Sequence, residues 1–320
     1  MNPMDIVTIG ETMVLMSPQK SGPLRYVPGF HKQMGGAESN VAIGATRLGC
    51  SVGWISQVGD DEFGRYITQN IRSEGVDVSQ VVSTGKAPTG VFFKEKKNAK
   101  QTRVYYYRAN SAASQMSTEQ LPYEYLKNAR LLHLTGITPA LSESCKQMMF
   151  DLITWAKAEG ILVSFDPNVR LTLWSKEEAA QVLHDLAIQA DILLPGIPEG
   201  ELMCGESDPV KIASYFRQKG VDNVIVKLGP EGAYYDCEGE QAQVSGFKVD
   251  TVVDSIGAGD AFAAAVLSSH LQGFRWDEAV KRGNAAGALV VMTEGDYEGL
   301  PDTEELDAFM AQKIEDDVLR

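Results

Sequence analysis

The feature that most constrains this chain is an alternation of short apolar runs with helix-length amphipathic stretches from residue 131 onward. Residues 131–134, 162–165, 192–194 and 224–227 are apolar runs short enough for buried strands. Residues 142–159, 176–189 and the stretches reaching 219 read as the helices between them. Strands joined through helices return in one direction, so the pattern predicts a three-layer α/β architecture with a mostly parallel sheet. Residues 6–10 and 52–58 add strands, while 62–74 and a stretch from 34 to 48, closed by Gly49, add helices. Residues 233–236 and 241–245 read as a hairpin, and helices are predicted at 258–272, 276–291 and 302–313. Ligands of such sheets bind beyond the C-terminal strand ends. Asn168, Arg170, Glu199 and Gly229 all follow predicted strands at that end.

Two segments depart from the alternation. Residues 11–33 carry Pro18, Gly22, Pro23 and Pro28 and read as short strands and turns outside the main body. Gly90-Val91-Phe92-Phe93 and Arg103-Val104-Tyr105-Tyr106-Tyr107 read as a hairpin whose connection is the charged stretch 94–100. Roughly 11–33 and 89–110 therefore predict a small β-sheet lid on a single domain spanning 1–320. Phe92, Phe93 and residues 105–107 would suit an apolar face shared between copies, which predicts a homo-oligomer formed through the lid.

Composition narrows the partners. A net charge of -14 and a pI near 4.8 argue against nucleic acid and anionic membrane surfaces. No apolar run approaches the roughly 18 residues of a membrane span. The N-terminus lacks the basic and apolar regions of a signal peptide, so none is expected. Cys50, Cys145, Cys204 and Cys237 are far apart, and the four histidines show no metal spacing. That pattern predicts reduced thiols in a cytoplasmic protein. In so acidic a chain an anionic substrate needs local positive charge, which singles out Arg108 and Arg170.

The most chemically suggestive stretch is Gly257-Ala258-Gly259-Asp260, which opens an apolar run from 261 to 271. Small residues at a helix start leave backbone N–H groups open to an anion, and the helix dipole adds to the attraction. A carboxylate beside such a cradle can take a proton from a hydroxyl. Taken alone, the same residues also describe a capped helix start. Gly35-Gly36, with Asn40, open another helix in the same way. Lys227-Leu228-Gly229-Pro230-Glu231-Gly232 places two glycines after a buried strand, where a ligand can approach closely. No GxxxxGK[ST] loop occurs.

Residues 34–42 with Leu48-Gly49 resemble the N-terminal signature of the ribokinase-like (PfkB) carbohydrate kinase family. Residues 254–262 resemble its C-terminal signature, and residues 58–64 its V-G-x-D-x-x-G stretch. The three motifs stand in family order across nearly the whole chain. The resemblance implies a ribokinase-like αβα fold with a small lid, and ATP-dependent phosphorylation of a sugar hydroxyl with Mg²⁺. It implies Asp260 as the base, with Gly257, Ala258 and Gly259 as the anion hole. Asn168, Lys227, Gly229, Gly232 and Asn284 would serve the nucleotide, Asn284 at the adenine. Many relatives carry N-x-x-E where this chain has Gly196-Ile197-Pro198-Glu199; Glu199 would serve Mg²⁺ through water, and the Asn is absent. Asp254 matches a position that helps hold a monovalent cation in some relatives, which would be K⁺.

Sugar kinases of this family often carry an Asp just after the first strand, and Gly10-Glu11-Thr12-Met13 has none. Residues 10–16 and 36–40, Tyr106-x-Arg108 and Arg170 are instead similar to the branch that acts on 2-keto-3-deoxygluconate. Arg forks suit carboxylates. This resemblance implies that Gly35, Gly36, Asn40, Phe92, Tyr106, Arg108, Arg170 and Asp260 surround a sugar acid whose C6 hydroxyl faces Asp260, and Asp296, after the last long helix, is expected to add a hydroxyl contact. Phe92 stands where some relatives have Tyr. Two alternatives stay open at this point: a fructokinase or other sugar kinase of the same fold, and a non-catalytic sugar or nucleotide sensor.

Overall fold

The computed structural model describes residues 3–98 and 101–312. Lys100, in the expected lid connection, and Lys313, at the end of the last predicted helix, lie outside them, as do the termini of the expected 1–320 domain. In chain order the first half runs β1 (Met4–Ile9), β2 (Met13–Pro18), β3 (Phe30–Gly35), α1 (Ala37–Arg47), β4 (Val52–Gly59), α2 (Glu62–Ser73), β5 (Val81–Thr84), β6 (Val91–Asn98), β7 (Gln101–Tyr107), α3 (Tyr123–Leu126) and β8 (Ala129–Thr135). The second half runs α4 (Glu143–Ala158), β9 (Leu162–Asp166), α5 (Lys176–Ala187), β10 (Ile192–Leu193), α6 (Ile197–Cys204), α7 (Pro209–Gln218), β11 (Asn223–Lys227), β12 (Ala233–Cys237), β13 (Glu240–Val244), α8 (Ala258–Leu271), α9 (Trp276–Val290) and α10 (Thr303–Gln312).

The main sheet has the order β13-β12-β11-β10-β9-β8-β1-β4-β5. It is parallel from β11 to β5, and the hairpin β12–β13 continues it antiparallel. Its inner strands are buried on both faces, as near-continuous apolar runs require, while the edge strands β5 and β13 are largely exposed. In β11, Ile225 packs into one core, while Val224 and Val226 pack into the other. The first core receives α1, α2, α8 and α9; the second receives α4, α5 and α7. This is the expected ribokinase-like three-layer arrangement. β5, a four-residue edge strand that is parallel to β4 and only partly buried, was not expected: two valines are too short an apolar run to signal a strand.

The small sheet has the order β3-β2-β6-β7 and draws on the two segments that departed from the alternation. It is mixed, because β2 and β6 run parallel while the outer pairs are antiparallel. Two expectations are corrected here. The charged stretch after Phe93 does not begin a loop: β6 continues as far as Asn98, and Lys94 is only 2% exposed. Met34 and Gly35 close β3 instead of opening a helix, and α1 begins at Ala37. The motif at 58–64 joins the two sheets. Asp61 caps α2 by accepting from Phe63 N and Gly64 N, and also accepts from the N–H and hydroxyl of Thr89, just before β6.

Candidate active site

Two cavities open beyond the C-terminal ends of the central strands, and they share a wall. The first, of about 430 Å³, is lined by polar side chains from both sheets, among them Asn40, Arg108, Asn168, Arg170, Asp260 and Asp296. The second, of about 390 Å³, is largely apolar and lies between the Gly229 loop, Phe247, α8 and α9. Lys227, Ser255 and Gly259 line both.

The shared wall is the start of α8. Gly257 caps the helix with φ +82, in the left-handed region that glycine alone enters freely, and a Cβ there would lie 2.3 Å from the Asp296 carbonyl oxygen. The backbone of residues 257–259 is thereby bared at a helix N-terminus. Asp260 follows in the first turn, buried. Its Oδ2 accepts from Asn40 Nδ2 at 2.8 Å, and Asn168 Nδ2 stands 3.5 Å from Oδ1. Burial pushes the Asp260 carboxyl up to about 7, opposed by the Asn40 hydrogen bond and by the charges of Arg170 and Lys227. Burial disfavours the anion, and the donors recover part of the loss. The result is a base poised near neutral pH.

Lys227, at the end of β11, pairs with Asp166 at 2.7 Å. Burial alone would lower its pKa, but Asp166 and Glu199 outweigh that and hold it above the ordinary lysine value. A fixed ammonium therefore stands where the cavities meet. Glu199, in the first turn of α6, accepts from Gly196 N at 2.6 Å and Val169 N at 3.0 Å. Among the described residues, no cluster of three or more His, Cys, Asp or Glu side chains could hold a metal ion.

Residues expected around a sugar acid do come together. Gly35 and Gly36 are needed for want of room: a Cβ on Gly35 would stand 2.1 Å from Asp296 Oδ2, and one on Gly36 2.6 Å from the Glu11 carbonyl oxygen. Phe92 and Tyr106, cross-strand partners, stack with centroids 5.7 Å apart against the first cavity. The expected oligomeric face is corrected accordingly. The period-two pleat turns Phe92 and Tyr106 inward, and leaves Phe93, Tyr105 and Tyr107 on the opposite face.

The two arginines differ. Arg108 is buried and forks onto Glu11 Oε2, with Nε at 2.7 Å and Nη2 at 2.5 Å. Ser111 donates to the other Glu11 oxygen. Arg170 is exposed at the cavity rim, and its guanidinium has no partner among the described residues. Glu11 was missed as a site residue; a buried acid directly after the first strand was the available signal.

Three further placements bear on the residues expected at the nucleotide and the cation. Asn168, with φ +35, lines the first cavity against Asp260 and not the apolar cavity expected for a nucleotide. Asn284 lines the second cavity, but its Nδ2 donates to the Val244 and Ser245 carbonyls, so its amide N–H groups clamp the loop after β13. Asp254, expected beside K⁺, has its Oδ2 3.3 Å from Lys94 Nζ, and Lys94 also donates to Asp296 Oδ1 at 2.9 Å. A lysine ammonium supplies the positive charge there. Gly229 (φ +60) and Gly232 (φ +99) both lie at the second cavity; a Cβ on Gly232 would meet the Val244 carbonyl oxygen at 2.0 Å.

Comparison with known proteins agrees with this arrangement. The family model described as pfkB family carbohydrate kinase matches residues 4–303. The chain is 45% identical over 310 residues to a 2-dehydro-3-deoxygluconokinase of Bacillus subtilis, covering 96% of each. It superposes on a PfkB protein from Polaromonas sp. JS666 with a TM-score of 0.88 at 42% identity, covering 95% of this chain and 99% of that one. A putative Ribokinase II from E. coli in complex with ATP and Mg²⁺ matches with a TM-score of 0.89 at 30% identity, covering 97% of this chain and 99% of that one. The chain therefore belongs to the pfkB family of carbohydrate kinases.

Proposed function

We propose that this protein transfers the γ-phosphoryl group of ATP to the C6 hydroxyl of 2-keto-3-deoxygluconate. One observation carries the reading. A polar cavity holding a buried base and an arginine whose guanidinium has no hydrogen-bond or ion-pair partner among the described residues meets an apolar, glycine-lined cavity at a bared helix N-terminus. The named activity of the Bacillus subtilis relative and the bound ATP and Mg²⁺ of the E. coli neighbour support the same assignment.

In this reading the sugar acid fills the first cavity. Its carboxylate meets Arg170 and the edge of Arg108 left free by Glu11. Its ring or chain stacks against Phe92 and Tyr106, and its hydroxyls reach Asn40 and Asp296. Adenosine fills the second cavity, with Gly229 and Gly232 permitting close approach and Asn284 holding its wall. Asp260 accepts the C6 hydroxyl proton as that oxygen attacks the γ-phosphorus and the bond from the γ-phosphorus to the bridging β-phosphate oxygen breaks, releasing ADP. The N–H groups of residues 257–259, the α8 dipole and Lys227 offset charge on the phosphoryl oxygens, and Asn168 reaches the same region. The small sheet acts as a lid that excludes water.

The donor set suits Mg²⁺ bound mainly by phosphate and water. Glu199 and Asp166 already accept N–H groups, yet each keeps oxygen lone pairs for a metal-bound water. Bound there, Mg²⁺ would neutralise charge on the transferring phosphate. The assignment extends to a cytoplasmic protein with one kinase domain, whose copies pair through Phe93 and the 68%-exposed Tyr107. Light scattering that gave a clean monomer would reject the pairing.

The test of function is an ADP-release screen over sugar acids, neutral hexoses and nucleosides. Turnover is expected with 2-keto-3-deoxygluconate. Preference for fructose would assign a fructokinase, and no ADP release with any sugar would leave only a sensor, which the retained Asp260 argues against.

A further inference from the structure

Lys94 is an unusual place for a charge. It lies in the middle of β6, 2% exposed, on a face shared with Phe92. Burying an ammonium costs several kcal/mol unless its partners are well placed, and an apolar side chain of like size often serves stability as well or better. The charge therefore calls for a role beyond packing.

Its two partners come from separate parts of the catalytic centre. Asp254 stands three residues before Gly257, in the loop leading into α8, and its Oδ1 accepts from Ile256 N at 3.1 Å. Asp296 lies in the loop after α9, and its carbonyl packs against Gly257. With Oδ1 engaged by Lys94, the Asp296 Oδ2 is turned toward Gly35 and the first cavity. Around this pair the small sheet is fastened to the same loop twice more, by Lys96 with Glu294 and by Gln33 Nε2 with Glu298 at 2.8 Å. Those two contacts are exposed, whereas the Lys94 pairs are not.

We propose that Lys94 is a positioning residue that couples seating of the small sheet to assembly of the phosphoryl-transfer centre. Its ammonium bridges the loop that shapes the anion cradle and the acid that faces the sugar. The two carboxylates repel one another without it, so the cradle and the Asp296 hydroxyl contact are set only when β6 is docked. The proposal rests on the phosphotransfer reading. It adds that the lid contributes a charge, and not only a cover.

The experiment compares wild type, Lys94→Ala and Lys94→Met in ADP release. Wild-type turnover is measured first; its absence would defeat the phosphotransfer reading itself. With wild type active, Lys94→Ala should lose between about tenfold and a hundredfold in kcat, with KM for ATP little changed. Ammonium or methylammonium ions should restore that variant saturably, while tetramethylammonium at equal ionic strength should not. Lys94→Met, which fills the space, should lose kcat without such rescue and keep its melting temperature. The proposal is overturned if either folded variant retains wild-type kcat, or if the Lys94→Ala loss responds to no ammonium ion. Failure of both variants to fold would make the ammonium a fold element and overturn it equally.

Discussion

The two cavities are built in opposite ways. The first works through side chains: Asp260, Asn40, Arg108, Arg170 and Asp296 each bring a charge or a hydrogen-bonding group. The second works chiefly through backbone and the absence of side chains, with Gly229, Gly232, Gly246, Gly283 and Gly287 along an otherwise apolar wall. A cavity made of side chains can be retuned by single substitutions, whereas one made of close backbone fails by steric intrusion. Sugar specificity and chemistry should therefore separate from nucleotide affinity under mutation.

The largest separation is expected at Asp260. Asp260→Asn keeps the shape and removes the base, so kcat should fall by between about a hundredfold and ten-thousandfold. Calorimetry should find ATP binding largely kept; near-normal turnover would sink the assignment of the base. Arg170→Ala should raise KM for the sugar acid by about tenfold to a hundredfold, the worth of a charge-assisted contact, and leave KM for ATP unmoved. Equal effects on acid and neutral sugars in steady-state kinetics would break the carboxylate role. Gly232→Ala places a Cβ against the Val244 carbonyl at positive φ. It should weaken ATP by about tenfold, and a matching loss for the sugar would show that the cavities are not separable.

The smallest effect concerns pH. Asp260 must be ionised to accept a proton, and burial has raised its pKa to about 7. kcat/KM should therefore fall as pH drops through that region and hold above it. Asn40 donates to the ionised carboxylate, so Asn40→Ala removes a stabiliser of the charged form and should move this acid limb upward by less than about one pH unit. A limb that stayed fixed, or moved down, would contradict the role given to Asn40.

What the sequence disclosed follows the same division. Gly257, Gly259, Asp260, Gly229 and Gly232 were legible because their constraints are local: a helix start, a turn after a strand, a positive φ. The α/β alternation was legible for the same reason. Long-range pairing was not. Lys94 sits among Glu95, Lys96 and Lys97, which read as a solvated connection, and its partners lie 160 and 202 residues away. Glu11 gains its meaning from Arg108, 97 residues on. The two arginines looked alike in sequence, and only their surroundings make one held by Glu11 and the other exposed at the cavity rim. Phe92 and Phe93 were read as one aromatic patch, though the pleat sends them to opposite faces.

The most direct measurement is the ratio of kcat/KM for 2-keto-3-deoxygluconate to that for fructose, in wild type and in Arg170→Ala. A strong preference for the acid is expected in wild type, collapsing by about tenfold or more when the Arg170 guanidinium is removed. A wild-type ratio near one, or a preference untouched by the substitution, would contradict it.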